Sequence, residues 1–186
     1  RPYIILKWAE THDGFIAPKT KKEQKPVWIT NKYSRQLVHK WRAEEQAILV
    51  GTNTVLEDNP SLTTRDWIRE NPIRIVIDRS NKLSKNHHVF NSESETVIIN
   101  NDTIDFSKNI VKQICEVLYK KNINSVIIEG GAKTLQTFID ENLWDEARVF
   151  KGETEFKEGI KAPNYSGRLV LEQSILNDNL KIYIND

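Results

Sequence analysis

A single cysteine, Cys115, is all the sulfur in this 186-residue sequence, which has no methionine. One thiol excludes an intramolecular disulfide and any multi-cysteine zinc site, and it predicts a reducing, cytoplasmic setting. Charge of one sign is also missing, since 27 Lys+Arg against 26 Asp+Glu leave a formal net charge of +1. Without a clustered basic excess there is no field to hold a nucleic-acid backbone or an anionic membrane surface, so neither partner is expected. No apolar run approaches the roughly 18 residues of a membrane span, and the first residues lack a signal-peptide pattern. The histidines His12, His39, His87 and His88 form no HExxH, no serine sits in a GxSxG elbow, and no metal site is expected.

What is present is a core in proportion to the length. Hydrophobic residues make up 38% and charged residues 28%, which suits one solvated domain over residues 1–186. Short β-rich apolar runs at 3–8, 47–50, 72–78, 96–100 and 125–131 read as buried strands. Between them the period turns helical. Tyr33, Leu37, Val38 and Trp41 predict a helix ending near Arg42, capped by Thr30 or Asn31 and carrying His39 on its surface. Further helices are predicted over 53–58, from Ile110 to Leu118 with Cys115 in the core, and around Leu135, Phe138 and Ile139. Trp28 and Trp41 read as core or pocket wall, the stretch with Asp13-Gly14 and Pro18 as a loop, and the lysine-rich run 19–25 as a solvated loop. Runs at 147–150, 168–171 and 181–184 complete an α/β sheet, parallel where helices cross over and antiparallel towards the C-terminus.

The strongest local motif is Glu129-Gly130-Gly131-Ala132-Lys133-Thr134, where a buried strand runs through two glycines into a helix. Such a helix start presents free backbone N–H groups to a phosphate. It is neither GxGxxG nor a Walker A loop, because Ile127 stands where that loop needs glycine. Glu129 lies at the carboxyl end of an interior strand, where open α/β sheets bind ligands. Arg42, Thr54, Asp58, Arg65, Asp78 and Arg79 also follow strand or helix ends. Each alone suits a solvated surface, but together they outline a site.

The series Leu6-Lys7-Trp8-Ala9-Glu10, Trp28-Ile29-Thr30, Arg42-Ala43, Thr54-Val55-Leu56-Glu57-Asp58-Asn59-Pro60-Ser61-Leu62-Thr63-Thr64-Arg65, Ile77-Asp78-Arg79 and Glu129-Gly130-Gly131-Ala132 resembles the reductase domain of the bifunctional riboflavin-biosynthesis deaminase/reductase. Order and spacing match along nearly the whole chain, and residues 156–163 resemble that family's late loop. The resemblance implies a dihydrofolate-reductase-like, three-layer fold with a mostly parallel sheet and antiparallel C-terminal strands. It implies NADPH-dependent reduction of 5-amino-6-(5-phosphoribosylamino)uracil to its ribitylamino product. It implies cofactor contacts at Ala9, Glu10, Trp28, Thr54, Asp58 and Arg79, and along Gly131, Ala132, Lys133, Thr134 and Leu135. Substrate contacts fall on Pro26, Arg42, Leu62, Arg65 and Glu129, with Lys7 and Glu129 at the reacting end. Pro26 departs from the hydroxyl or small residue common at its position, and Lys133 adds an ammonium to the glycine turn. The family's zinc deaminase elements are absent from this sequence, and the start at Arg1 without methionine predicts a preceding deaminase domain or a stand-alone reductase. A homodimer is compatible with the sequence. The rival readings are dihydrofolate reductase and a catalytically silent nucleotide-binding module.

Overall fold

The structure is a computed structural model that describes all 186 residues. The chain runs β1 (Tyr3–Glu10), β2 (Phe15–Pro18), α1 (Lys32–Glu44), β3 (Ala47–Gly51), α2 (Thr52–Asp58), β4 (Ile73–Ile77) and β5 (Thr96–Ile99). It continues through α3 (Ile110–Lys120), β6 (Ser125–Ile128), α4 (Ala132–Asp140), β7 (Glu146–Lys151), β8 (Gly159–Lys161), β9 (Arg168–Ile175) and β10 (Asp178–Ile184). Eight strands form one sheet in the order β5-β4-β3-β6-β1-β7-β10-β9. From β5 to β7 neighbouring strands are parallel, whereas β10 is antiparallel to β7 and to β9. This is the expected α/β sheet with its antiparallel C-terminal strands. No helix is long and apolar enough to cross a membrane.

Parallel strands cannot be joined by tight turns, so the connecting helices cover both faces of the sheet. The alternation of side chains decides what goes where. Ile4, Leu6 and Trp8 of β1, Ala47 and Leu49 of β3, and Val126 and Ile128 of β6 point to one face, where α3 and α4 supply Ile114, Cys115, Leu118, Leu135 and Phe138. Ile5 and Ile127 point the other way, against Val38 and Trp41 of α1. Ile48, Val50 and Val76 share that second face with Val55 of α2 and Leu62. The result is three layers.

α1 is anchored at its start, and further along it carries the cleft residues Arg35, Val38, His39 and Arg42. Asn31 caps it by accepting hydrogen bonds from the amides of Tyr33 and Ser34, as one of the two expected caps. The Asn31 amide nitrogen donates to the Ile175 carbonyl at 2.7 Å. Buried Asp178 accepts from the Asn31 backbone N–H at 2.9 Å and from the Ser34 hydroxyl at 2.5 Å. The start of the helix is thereby pinned to the β9–β10 turn.

Three local expectations are corrected. Residues 15–18 are not a loop but strand β2, paired antiparallel with β8 in a separate small sheet. Four residues are too few for a periodic signal, and the partner lies far along the chain. The lysine-rich run is not wholly solvated, because Lys21 turns inward and pairs with Asp58 at the end of α2. His39 is buried rather than on the helix surface. It lies three residues before Arg42 on the helix flank that meets residues 62–66.

Replacing Asp178 with Ala should strand the buried Ser34 hydroxyl and the half-buried Asn31 N–H at the start of α1. We expect a loss of about 2 kcal/mol in urea or thermal unfolding, and a loss below about 0.5 kcal/mol would show that the anchor is dispensable.

Candidate active site

Chain order reverses direction around the middle of the sheet. After β3 the strands are laid outwards through β4 to β5, and the chain then returns to insert β6 between β3 and β1. Such a switch point opens a crevice beyond the carboxyl ends of the strands. Here it is a cleft of about 630 Å³, within the usual size of small-molecule sites. Leu6 pairs with Ile128 across β1 and β6, so the next residues, Lys7 and Glu129, face each other at the strand ends. Two-residue alternation sends both side chains to the α1 face, where Arg42 arrives one helical turn after His39.

These charges form one buried cluster. Arg42 holds Glu129 with two parallel bonds, Nε to Oε1 at 3.1 Å and Nη2 to Oε2 at 2.7 Å. Lys7 Nζ lies 3.9 Å from the same Oε2. Arg42 Nη1 donates to the Thr63 carbonyl at 3.3 Å. Burial by itself pushes the Glu129 carboxyl up, but the charges of Arg42 and Lys7 and the Arg42 hydrogen bonds outweigh it and hold the group at about 2. For Lys7 burial wins over the attraction of Glu129, and Arg42 adds repulsion, so the ammonium holds its proton less tightly than usual.

Directly after Glu129 the cleft lining continues into the glycine turn. Gly131 precedes α4, which has no side-chain cap, and its own N–H donates to Thr54 Oγ1 at 2.9 Å. The amides of Ala132 and Lys133 are left without an intrahelical acceptor and free for an anion. Gly130 has no room for a side chain, since a Cβ there would lie 2.9 Å from Thr134 Cβ. Thr134 therefore packs behind the turn rather than facing the cleft. Trp28 is half exposed along the cleft, with the Arg35 guanidinium 4.7 Å from its ring centre.

Of the expected site residues, the cleft gathers Lys7, Ala9, Pro26, Trp28, Arg42, Thr54, Asp58, Leu62, Arg65, Glu129, Gly131, Ala132 and Leu135. Glu10 does not line it and accepts from the Trp8 indole at 3.0 Å, while the Lys133 side chain is exposed. Arg79 lies in a separate, open depression with Asp102 and Asp105, its guanidinium 5.5 Å from the Phe106 ring centre. Asp78 closes the turn after β4 by accepting from the amides of Lys82 and Leu83 at 3.0 Å each. Arg42 and Arg65 do not play equal parts as an anion clamp. Arg42 is already engaged by Glu129 and Thr63, whereas Arg65 has no hydrogen-bond or ion-pair partner. Sequence reasoning missed His39 and Lys21, which both line the cleft. The spacing of His39 and Arg42 along α1 was the available signal for the first, and nothing local marked the second.

The charged cluster fixes a pH dependence. A carboxyl held near 2 when folded and about 4.5 when unfolded stabilises the fold above about pH 4.5, and this contribution fades as pH falls towards 2. Glu129→Gln should cost about 3 kcal/mol near neutral pH, because it leaves two buried cations uncompensated. Below about pH 4.5 the gap from the parent protein should narrow, because the Glu129 carboxyl of the unfolded chain takes up a proton while the folded one stays ionised until about pH 2, which draws the parent protein towards unfolding. Unfolding curves from about pH 7 to about pH 3 read this directly, and a constant gap would contradict the ionised assignment.

The chain matches the family model of the RibD C-terminal domain over residues 2–152. It is 33% identical to the riboflavin biosynthesis protein RibD of Aquifex aeolicus, covering 92% of this chain and 52% of that protein. The chain thus spans about half the length of that RibD relative. A 2,5-diamino-6-ribosylamino-4(3H)-pyrimidinone 5′-phosphate reductase of Archaeoglobus fulgidus is 27% identical, with 82% of this chain and 80% of that protein covered. Among solved structures, the Thermotoga maritima diaminohydroxyphosphoribosylaminopyrimidine deaminase/5-amino-6-(5-phosphoribosylamino)uracil reductase superposes with a TM-score of 0.87 at 30% identity. That match covers all of this chain and 57% of the other. A dihydrofolate reductase of Enterococcus faecalis, complexed with NADP(H), shares the fold at a TM-score of 0.61 and 14% identity. The fold is dihydrofolate-reductase-like, and the chain belongs to the RibD C-terminal domain family.

Proposed function

We propose that this chain is an oxidoreductase of riboflavin biosynthesis that reduces 5-amino-6-(5-phosphoribosylamino)uracil to 5-amino-6-(5-phosphoribitylamino)uracil with NADPH. One observation carries the reading: a buried Lys7–Glu129–Arg42 cluster stands at the switch point, and the unpaired Arg65 guanidinium shares its cleft. A sugar phosphate needs such a pair of ends, a polar one for ribose hydroxyls and a cationic one for the phosphate. The relatives named as reductases act on ribosylamino 5′-phosphates, which supports the substrate class. The same reading includes a deaminase domain in the natural polypeptide and a cytoplasmic setting.

The residues present fit a dinucleotide. The free amides at the start of α4 and the Thr54-braced turn suit a pyrophosphate, and the Trp28 face suits a planar ring. When bound, NADPH supplies the hydride that C1′ of the ring-opened imine accepts. The imine nitrogen takes one proton to become the amine, which balances the step. Arg65 holds the phosphate with a planar fork, and its lack of an internal partner leaves its donors available. Glu129, kept ionised by its two cations, accepts hydrogen bonds from the ribose hydroxyls. Lys7 orients the same end, and its weakened hold on its proton suits it to relay one.

The deciding measurement follows absorbance at about 340 nm, where reduced nicotinamide is consumed. Consumption with the uracil substrate and none with dihydrofolate is expected, while NADPH binding without turnover would favour a silent module. Arg65→Ala should lower kcat/KM by about 10- to 150-fold, corresponding to about 1.5–3 kcal/mol for a charged hydrogen-bonded pair. On a substrate that already lacks the phosphate the same substitution should cost little further, because removing both partners costs little more than removing either, and two losses that multiply would free Arg65 of that role.

Arg79 is proposed to read the cofactor's 2′-phosphate, although Asp102 and Asp105 oppose an anion in the same depression. Arg79→Ala should therefore weaken NADPH much more than NADH. Equal weakening would remove it from that task.

A further inference from the structure

His39 has no part in the chemistry above, yet it is 4% exposed and lines the cleft beside Arg42. Its Nδ1 lies 3.0 Å from the Thr63 carbonyl oxygen. A carbonyl can only accept, so Nδ1 carries a proton and the tautomer follows from the geometry. Arg42 Nη1 donates to that same oxygen, so two side chains of α1 converge on one peptide group. On its other side, His39 Nε2 lies 3.3 Å from Asp66 Oδ2. His39 thus touches the residues on both sides of the Thr64–Arg65 pair.

The segment it grips needs holding. Leu62 has φ 55, a left-handed conformation that a branched residue adopts only when its surroundings impose it. Beyond it, the Thr64 N–H donates to Asn71 Oδ1 at 2.9 Å and its hydroxyl to the Arg69 carbonyl at 3.1 Å. Arg65 is the residue in this braced segment that is left exposed and unpartnered.

We propose that His39 is a positioning residue that sets Arg65 for the phosphate of the substrate through Thr63 and Asp66, and that it takes up a proton when the phosphate binds. The proposal rests on the reading of Arg65 as the phosphate ligand. The reason for proton uptake is local charge. Two cations face the imidazole, Arg42 from its own helix and Arg65 from the 62–66 segment, and Asp66 is the anion in contact. Glu129 on β6, with Lys7 of β1 behind it, completes the charged surroundings. Without a ligand, burial and then Arg42 hold the imidazole below its ordinary value, with Arg65 adding to them and Asp66 and the Thr63 carbonyl opposing. A phosphate dianion on Arg65 offsets the cations, which favours the imidazolium. Nε2 then gains the proton that lets it donate to Asp66, tightening the segment around its ligand. By linkage, phosphate binding strengthens as His39 is allowed to protonate.

Proton NMR of the imidazole C–H signals tests this with ribose 5-phosphate as the probe. His39→Gln identifies the resonance among the four histidines. We expect its midpoint to lie below the usual value of about 6.5 in the free protein and to rise on saturation with the probe. The rise should vanish with plain ribose and in Arg65→Ala. A midpoint that ignores bound ribose 5-phosphate overturns the proposal while leaving Arg65 as phosphate ligand. If Arg65→Ala binds the probe as well as the parent protein does, the reading of Arg65 falls, and this proposal with it.

Kinetics provide the second test. His39→Leu, which cannot donate to Thr63, should raise KM for the phosphorylated substrate about tenfold with kcat within about twofold, and should leave KM for the dephosphorylated substrate alone. His39→Gln, which retains an N–H donor, should recover most of the loss near neutral pH. It should not recover the steeper fall of phosphate affinity with rising pH that separates the parent protein from both variants. An equal KM rise on both substrates, or identical pH profiles in the parent and His39→Gln, would reduce His39 to a packing residue.

Discussion

The site depends on one carboxylate. Glu129 is an ionised group taken out of water, and such a burial is tolerable only where opposite charges and hydrogen bonds replace the lost solvent. Arg42 and Lys7 supply them, one from α1 and one from β1, so the carboxylate ties a helix to the two central strands. Arg42 extends the connection to Thr63, and His39 doubles it. The polar end of the cleft is thus a chain of mutual constraints in which few groups can move alone.

That rigidity contrasts with the other wall. At the glycine turn that follows Glu129, the cleft is made from backbone amides and small side chains, where Gly130 and Thr134 pack too closely for any larger group. Charge is placed by side chains in the cluster and by backbone dipoles at the start of α4. Lys21 bridges the two regimes by neutralising Asp58 at the end of α2. Gln24 adds a hydrogen bond to the Leu56 carbonyl at 2.7 Å, so the exposed segment leading to Trp28 is tied to α2. The contacts that shape this wall therefore arise outside the sheet.

The near-zero net charge takes on meaning in this light. With no general basic field, positive charge in the cleft rests on single groups whose partners decide their availability. Arg42 and Arg65 are identical in chemistry and share one cleft, yet one is consumed by internal bonds and the other is free. Charge counting sees two equal guanidinium groups, and only connectivity separates them.

The sequence by itself determined the alternation of strand and helix, the parallel sheet, a helix cap at Thr30 or Asn31, and the placing of Glu129 at a strand end beside a glycine turn. Each is a matter of local periodicity or of neighbours a few residues apart, and the pattern records them directly. The resemblance, carried by the whole series of motifs, named Lys7, Arg42, Arg65, Glu129 and most of the other expected residues that line the cleft. Tertiary structure alone decided the state of those residues. Arg42 meets Glu129 across 87 positions and Asp58 meets Lys21 across 37, and no local pattern encodes which charges will be paired. The β2–β8 pair and the burial of His39 escaped for the same reason. A strand of four residues has too few periods to declare itself, and a histidine on a helix flank is buried or exposed according to whether a distant loop folds back over it.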